Sequence, residues 1–278
     1  MPKQSMREAL AVARGGVNLA GYDPEDRPLA PSKHNRDLRN DDASLREMQK
    51  KLWAEGTAGS ERRILLVLQG IDTAGKGGVT KHVVGVFDPI GVQYTGFKAP
   101  TKTELRHDFL WRIRKQLPIP GTIGVFDRSH YEDVLIVRVH ELVPESEWRK
   151  RYELINEFEK ELVDGGTTVL KCFLNISFDT QRERLIKRLD RPDKHWKFNP
   201  DDLTERGFWN EYQLAYSEML ERCNTEYAPW YIVPSDHKKY RNWAIGELLH
   251  ETLSELDPQY PNPPLDIPTL KEKLAPPN

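Results

Sequence analysis

Ile64-Leu65-Leu66-Val67-Leu68-Gln69-Gly70-Ile71-Asp72-Thr73-Ala74-Gly75-Lys76-Gly77-Gly78 passes from a β-rich apolar run into a glycine-rich turn that holds a lysine. Residues 76–86 read as the helix that follows. A strand, a glycine turn and a helix in this order make an anion cradle. Glycines let the backbone approach a phosphate closely, and the free N–H groups of the turn and of the helix N-terminus point at it. Lys76 adds a full positive charge. The frame is that of a P-loop, Gly70 to Gly75 with Lys76 next. Gly77 stands where Ser or Thr usually supplies a magnesium-binding hydroxyl. A metal here would need a carboxylate instead, and Asp72 inside the loop is the nearest. A plain glycine turn is the competing reading, and the flanking elements favour the cradle.

Outward from this turn, strands and helices alternate. Residues 1–45 are polar and broken by prolines, and read as an N-terminal extension draped over the core or a neighbouring subunit. A helix is expected over 44–55, a second strand over 92–97 and a helix over 102–116. In the last of these Leu105, Phe109, Leu110 and Ile113 have helical spacing, and Pro118 ends it. A third strand covers 122–126. The helix over 145–163 has Trp148, Tyr152, Ile155 and Leu162 as its core stripe, and Gly165-Gly166 stop it. Residues 167–176 are apolar and β-branched, as in a buried strand. Helices follow over 180–189 and 204–223, then a short strand over 230–233 and a helix over 240–256. Residues 257–278 are dense in proline and read as a strap or tail. This alternation predicts an α/β domain over 46–256, with one parallel sheet covered on both faces.

At 278 residues the chain can bury a full core. Its formal charge of −2 argues against nucleic-acid binding driven by overall charge. Cys172 and Cys223 have no metal or redox spacing, and Cys172 reads as a buried thiol in a reducing cytosol. Met1-Pro2-Lys3-Gln4-Ser5-Met6 lacks the apolar core of a signal peptide, and no apolar run reaches bilayer-spanning length. A soluble cytoplasmic protein with no membrane partner is the expectation.

Two further signals carry chemistry. Val125-Phe126-Asp127-Arg128-Ser129 puts an acid at the C-terminal end of an apolar strand, the edge where parallel sheets place ligands. Such an Asp can hold magnesium opposite a P-loop, and Arg128 can donate two bonds to a phosphoryl group. A turn carboxylate paired with its arginine neighbourhood is the simpler alternative. The second signal is positive charge concentrated at Arg182, Arg184, Lys187, Arg188 and Arg191, followed by Lys194 and Lys197. Arg184, Arg188 and Arg191 share one helical face. A lid over phosphates (about 182–205) competes with a merely solvated face. Lys98, after the second strand, either lines a groove for a polyanion or is an exposed strand-end lysine. The histidines at 107, 130, 140 and 195 lack metal-ligand spacing, so no zinc site is expected. Residues 209, 212 and 216 read as core aromatics.

Several of these pieces together resemble the polyphosphate kinase 2 family. They are the loop from Gly70 to Gly78, Gly96-Phe97-Lys98-Ala99-Pro100-Thr101 and His107-Asp108-Phe109-Leu110-Trp111-Arg112. Phe126-Asp127-Arg128-Ser129-His130-Tyr131-Glu132-Asp133-Val134 and Asp193-Lys194-His195-Trp196-Lys197 complete the set. The resemblance runs from about Glu61 to Leu256, and in that family the loop normally lacks the hydroxyl, so Gly77 supports it. It implies a three-layer P-loop kinase fold with a parallel central sheet and helical lid, related to thymidylate kinases. It also implies reversible, magnesium-dependent phosphoryl transfer between inorganic polyphosphate and AMP or ADP, extending to GMP and GDP. Manganese would be able to substitute for magnesium.

By motif position, Asp72, Lys76, Asp127 and Arg128 are the implied catalytic core, with Asp72 and Asp127 holding metal. Gly70, Thr73, Ala74, Gly75, Gly77 and Gly78 would bind phosphate with Lys76. Arg188 would join Arg128 on the transferring group, and Lys98, Arg182, Lys194 and Lys197 would bind phosphate or nucleotide. Glu132 stands where members restricted to one phosphorylation step tend to carry Asn. It resembles the subgroup that accepts both mono- and diphosphates. A homo-oligomer, dimer or tetramer, is expected. An ATP-dependent nucleotide kinase of the same fold and a non-catalytic polyphosphate-binding protein remain as rivals.

Overall fold

The computed structural model describes residues 4–13, 15–31 and 41–274. The Met1-Pro2-Lys3 start, much of the extension's second half and the last four residues of the tail lie outside the described residues. Strands β1 (Arg63–Gln69), β2 (Val92–Gly96), β3 (Ile123–Asp127), β4 (Thr167–Asn175) and β5 (Trp230–Pro234) form one sheet. Its order is β2-β3-β1-β4-β5, and every pairing is parallel. The early helices are α1 (Met6–Leu10), α2 (Asp42–Thr57), α3 (Lys76–His82) and the one-turn α4 (Trp111–Arg114) and α5 (Ile136–Val139). The later ones are α6 (Glu145–Asp164), α7 (Phe178–Leu189), α8 (Asp201–Gly207), α9 (Trp209–Arg222), α10 (Lys238–Leu256) and α11 (Ile267–Lys273).

Helices α2, α3 and α10 pack together as one layer, and α5, α6 and α9 pack as another. Strands β1 and β4, central in the sheet, are buried almost throughout, which is why they read as continuous apolar runs. Strand β5 lies at an edge yet is fully buried. The N-terminal segment covers it: Ala11 bridges Tyr231 antiparallel, and Val12 N donates to the Trp230 carbonyl at 3.1 Å. An open sheet edge is a template for aggregation, and this segment closes it. Helix α1 is held by Glu251, whose carboxylate accepts from Met6 N at 2.6 Å and Arg7 N at 3.0 Å.

Three expected helices are broken. The span 76–86 is α-helical only to His82 and ends in a 3₁₀ turn, Val84–Val86. The span 102–116 holds a 3₁₀ turn at Glu104–Arg106 and the single turn α4, with His107 extended between them. Thr101 and Glu104 bond reciprocally, and Asp108 Oδ1 accepts from Leu110 N at 3.0 Å. Such local side-chain bonds compete with a continuous helix. Leu105, counted in the apolar stripe, is 68% exposed. The span 204–223 divides into α8 and α9 at Phe208. The tail carries the exposed helix α11.

A buried ion pair ties β4 to α6. Lys171 Nζ donates to Glu159 Oε2 at 2.6 Å, to Tyr131 Oη at 2.9 Å and to the Cys223 carbonyl at 2.7 Å. Glu159 Oε1 also accepts from Tyr131 Oη at 2.7 Å and lies 3.2 Å from His130 Nε2. All four side chains are fully buried. Removing one partner of such a pair strands a desolvated charge, whereas replacing both with apolar groups is far better tolerated. Lys171→Met should therefore cost about 3–5 kcal/mol in denaturant unfolding, and adding Glu159→Leu should recover much of it. Equal losses in the single and double variants would show that the pair is not the anchor.

Candidate active site

In the register of the sheet Leu68 lies beside Asp127. Strand β1 continues to β2 on one side, while β3 continues to β4 on the other. The strand order therefore reverses between β1 and β3, and a crevice opens at their carboxyl ends. The turn after β1 and the Asp127-Arg128 turn after β3 form its two walls.

The first wall is the glycine loop. Gly70 has φ +149° and Gly75 φ +115°, backbone that side chains rarely adopt. A Cβ on Gly75 would also collide with the Arg241 guanidinium. The N–H groups of Thr73, Gly75, Lys76 and Gly77 find no acceptor among the described residues, so they are free for an anion. Gly77 faces open space, and its missing hydroxyl is not a steric requirement. Lys76 opens α3, is buried, and donates from Nζ to the Gly70 carbonyl at 2.6 Å.

The second wall is strained. Arg128 has φ +65°, and Thr73 across the crevice has φ +69°. Left-handed backbone at a non-glycine residue costs on the order of 1–3 kcal/mol and persists only where surroundings impose it. Arg128 N is held by the Leu68 carbonyl at 3.1 Å, and its Nη2 donates to Asp72 Oδ1 at 2.6 Å. Asp127 Oδ2 accepts from Tyr94 Oη at 3.2 Å. Behind them the Lys171–Glu159 anchor fixes His130 and Tyr131, and Ser129 Oγ accepts from Gln69 Nε2 at 3.2 Å.

These groups share one electrostatic cluster. Burial, with Arg128 adding repulsion, pulls Lys76 below the ordinary lysine range, against the pull of Asp127, Asp72 and Glu132. Burial pushes Asp72 up, but Lys76, Arg128 and Arg188 outweigh it and leave the carboxyl below the usual range. Burial raises Glu132, with Arg128 and Lys76 opposing. Burial and the neighbouring Asp127 push the Tyr94 hydroxyl up to about 12. The cluster opens on a cavity of about 360 Å³ whose lining includes Asp72, Lys98, Arg128, Glu132, Tyr212 and Tyr216. Tyr212 and Tyr216 are buried core aromatics that also form the cavity wall.

Of the residues singled out in the sequence, Asp72, Lys76, Asp127, Arg128 and Glu132 come together, with Lys98 at the cavity rim. Arg188 acts on Asp72 at longer range, while its guanidinium donates to Asp202 Oδ2 at 3.1 Å. The other lid cations stand apart from the cavity. Arg182 is exposed beside Arg206. Lys194 pairs with Asp193 at 3.2 Å, and Lys197 rests on the Trp196 ring at 4.8 Å. Their motif positions placed them on the lid, but Arg182 and Lys197 are exposed and Lys194 is half-buried beside Asp193.

Sequence reasoning missed two supports of the loop. Arg184, which shares a helical face with Arg188 and Arg191 that reads as a lid or a solvated face, is buried. Its Nη1 donates to the carbonyls of Thr73 at 2.8 Å and Ala74 at 3.0 Å, and its Nη2 to those of Ser235 at 2.6 Å and Asp236 at 3.0 Å. Arg241, on α10, donates to the same Ala74 carbonyl at 3.1 Å. No local pattern marks Arg241. For Arg184 the available signal was its helical spacing with Gln181, which donates to the Asp72 carbonyl at 3.3 Å.

With this geometry in place, comparison with known proteins is decisive. A family model described as polyphosphate kinase 2 matches residues 29–261. The chain belongs to the polyphosphate kinase 2 family. Within that family it is 48% identical over 231 residues to the AMP/ADP-polyphosphate phosphotransferase of Meiothermus ruber, covering 83% of this chain and 84% of that one. It is 40% identical over 259 residues to the ADP-polyphosphate phosphotransferase of Rhodopseudomonas palustris, covering 88% of each. The crystal structure of polyphosphate kinase 2 from Arthrobacter aurescens superimposes with a TM-score of 0.93 at 49% identity, over 98% of this chain and 96% of that one. The three-layer α/β fold with its parallel sheet is thus that of a polyphosphate kinase 2. Among the described residues, no helix is long and apolar enough to cross a membrane.

The raised Glu132 carboxyl gives a pH test. A raised folded value means that stability is greatest below the unfolded value, about 4.3, and is lost as pH rises through the folded value. Glu132→Gln removes that loss. The Tm of the variant should exceed that of the parent at pH 8, and the difference should close near pH 4. A difference independent of pH would remove the carboxyl as its source.

Proposed function

We propose that this chain transfers phosphoryl groups between inorganic polyphosphate and both AMP and ADP, reversibly and with magnesium. The observation that carries the reading is the buried Lys76 and the half-buried Arg128 set among Asp72, Asp127 and Glu132 at the switch point of a parallel sheet. The names of the relatives from Meiothermus ruber and Rhodopseudomonas palustris supply the substrate classes.

The reaction asks little of a general base. A phosphomonoester has a second pKa of about 6, so the acceptor phosphate is already an anion at neutral pH. The difficulty is bringing two polyanions into line, and the protein must neutralise charge and align them. The free loop N–H groups and Lys76 hold phosphate oxygens. Arg128 turns from Asp72 to the equatorial oxygens of the transferring group, and Arg188 joins it by leaving Asp202. Asp72 and Asp127 offer hard oxygen donors beside Lys76, while the described residues contain no cluster of three or more possible ligands. That donor set suits magnesium, which takes one or two carboxylates and fills its shell with water and phosphate, and manganese has the same oxygen preference. The ion, when bound, supplies further neutralisation of phosphoryl charge. Glu132 lines the cavity and tunes which acceptor is phosphorylated. The buried free thiols Cys172 and Cys223 suit a reducing cytosol.

Incubation with AMP, magnesium and polyphosphate as the sole donor should yield ADP and then ATP. An enzyme that needs ATP as donor gives no net ATP here, and a mere binding protein gives no product. Lys76→Ala and Asp127→Asn should each lower kcat by on the order of 10²–10³ with the fold intact by circular dichroism. Near-parental rates in either would refute its role. Glu132→Asn should shift the ratio of AMP to ADP phosphorylation, and an unchanged ratio would free Glu132 of any part in acceptor choice.

A further inference from the structure

Strand β1 is apolar from Ile64 to Leu68 and ends on a polar side chain, Gln69, which is fully buried. Its amide is only partly satisfied. Nε2 donates to Ser129 Oγ at 3.2 Å, whereas Oε1 is buried with no partner among the described residues. An unmet buried acceptor is costly, and an apolar side chain at this strand end would pack without that cost. Packing alone does not call for an amide here, but the neighbouring turn does. Ser129 caps the 3₁₀ turn His130–Val134, its Oγ accepting from Tyr131 N at 3.2 Å and its carbonyl from Glu132 N at 3.1 Å. Burial raises the Glu132 carboxyl, and Arg128, Lys76 and a hydrogen bond from the Gln69 side chain oppose it. One amide thus grips both the cap of the turn and the carboxyl that the turn presents to the cavity.

We infer that Gln69 is a positioning residue for acceptor choice: it fixes the Glu132 carboxyl against the Ser129-capped turn and, through that carboxyl, sets the preference between AMP and ADP. The inference rests on Glu132 tuning the acceptor, as argued above. Gln69 is fully buried and is not among the residues that line the cavity, so it acts through Glu132 and not on substrate. An amide suits this task. It gives a donor to an ionised carboxylate and an acceptor to a protonated acid, so the grip survives either charge state. A carboxylate at 69 would set a further negative charge beside Glu132. An apolar side chain would leave the Glu132 carboxyl free to turn toward Arg128 and Lys76, the cations that already pull on it. AMP and ADP differ by one charged phosphate. A carboxyl held at one point acts differently on the two, and a wandering one averages the difference away.

The test is Gln69→Met, which keeps the length and volume of the side chain and removes the amide. Initial rates are measured with AMP and with ADP, each against saturating polyphosphate and magnesium. The ratio of kcat/KM for AMP to that for ADP should shift about tenfold, the scale of one hydrogen bond to a charged group. The shift should have the direction that Glu132→Asn gives. In the Glu132→Asn background, Gln69→Met should leave the ratio where Glu132→Asn put it, because the carboxyl it positions is already gone. Ser129→Ala, which frees the other end of the amide, should act in the same way and decides the matter if Gln69→Met does not fold. An unchanged ratio, an equal loss with both acceptors, or a shift that persists in full beside Glu132→Asn overturns the positioning role. A Glu132→Asn variant with the parental ratio is a separate result, which refutes the acceptor reading and this inference with it.

Discussion

The carbonyl of Ala74 accepts from two buried arginines, Arg184 at 3.0 Å and Arg241 at 3.1 Å. Arg184 also takes the Thr73 carbonyl and two carbonyls of the turn after β5. Peptide carbonyls drawn back in this way leave the loop N–H groups facing the crevice, where an anion can meet them. The loop is thereby hung from α7 and α10 before any substrate arrives. Such preorganisation matters because donors that need not reorient stabilise developing charge most effectively. It also explains why glycine is required at position 75, where Arg241 occupies the space a side chain would need.

The opposite wall is held by a different device. Arg128 must adopt a left-handed backbone to send its guanidinium back to Asp72. A strained turn of this kind keeps its shape only if its ends are rigid. Strand β3 fixes one end through its register with β1. The buried network of Lys171, Glu159, Tyr131 and His130 fixes the other. Fixing both walls leaves the positive charges of Lys76 and Arg128 close together, and Asp72, Asp127 and Glu132 keep the cluster tolerable until phosphate replaces part of their role. The depressed Lys76 and the raised Glu132 record that balance.

The basic stretch from Arg182 to Lys197 has a related logic. Arg188 lies within electrostatic reach of Asp72 yet is bonded to Asp202, and the more distal cations pair locally or face solvent. A lid whose cations all pointed inward would repel Lys76 and Arg128 in the absence of an anion. Partners such as Asp202 and Asp193 quench that repulsion in the structure as it stands.

Much of this was legible in the chain. The glycine turn with its lysine, the apolar strands around it and Asp127 at a strand end are local features, set by backbone sterics and by the two-faced burial of a parallel sheet. They determined the fold class, the position of the crevice and the phosphate chemistry. The helices over 102–116 and 204–223 were misread because side-chain caps at Thr101 and Asp108 and the break at Phe208 override apolar spacing. Arg182, Lys194 and Lys197 were assigned from position on a motif, but the direction of an exposed side chain is not a local property. Arg184, Arg241 and the Lys171–Glu159 pair were decided by tertiary structure alone. A buried charge is stable only where distant segments bring it carbonyls or a counter-ion, and no window of sequence contains both partners.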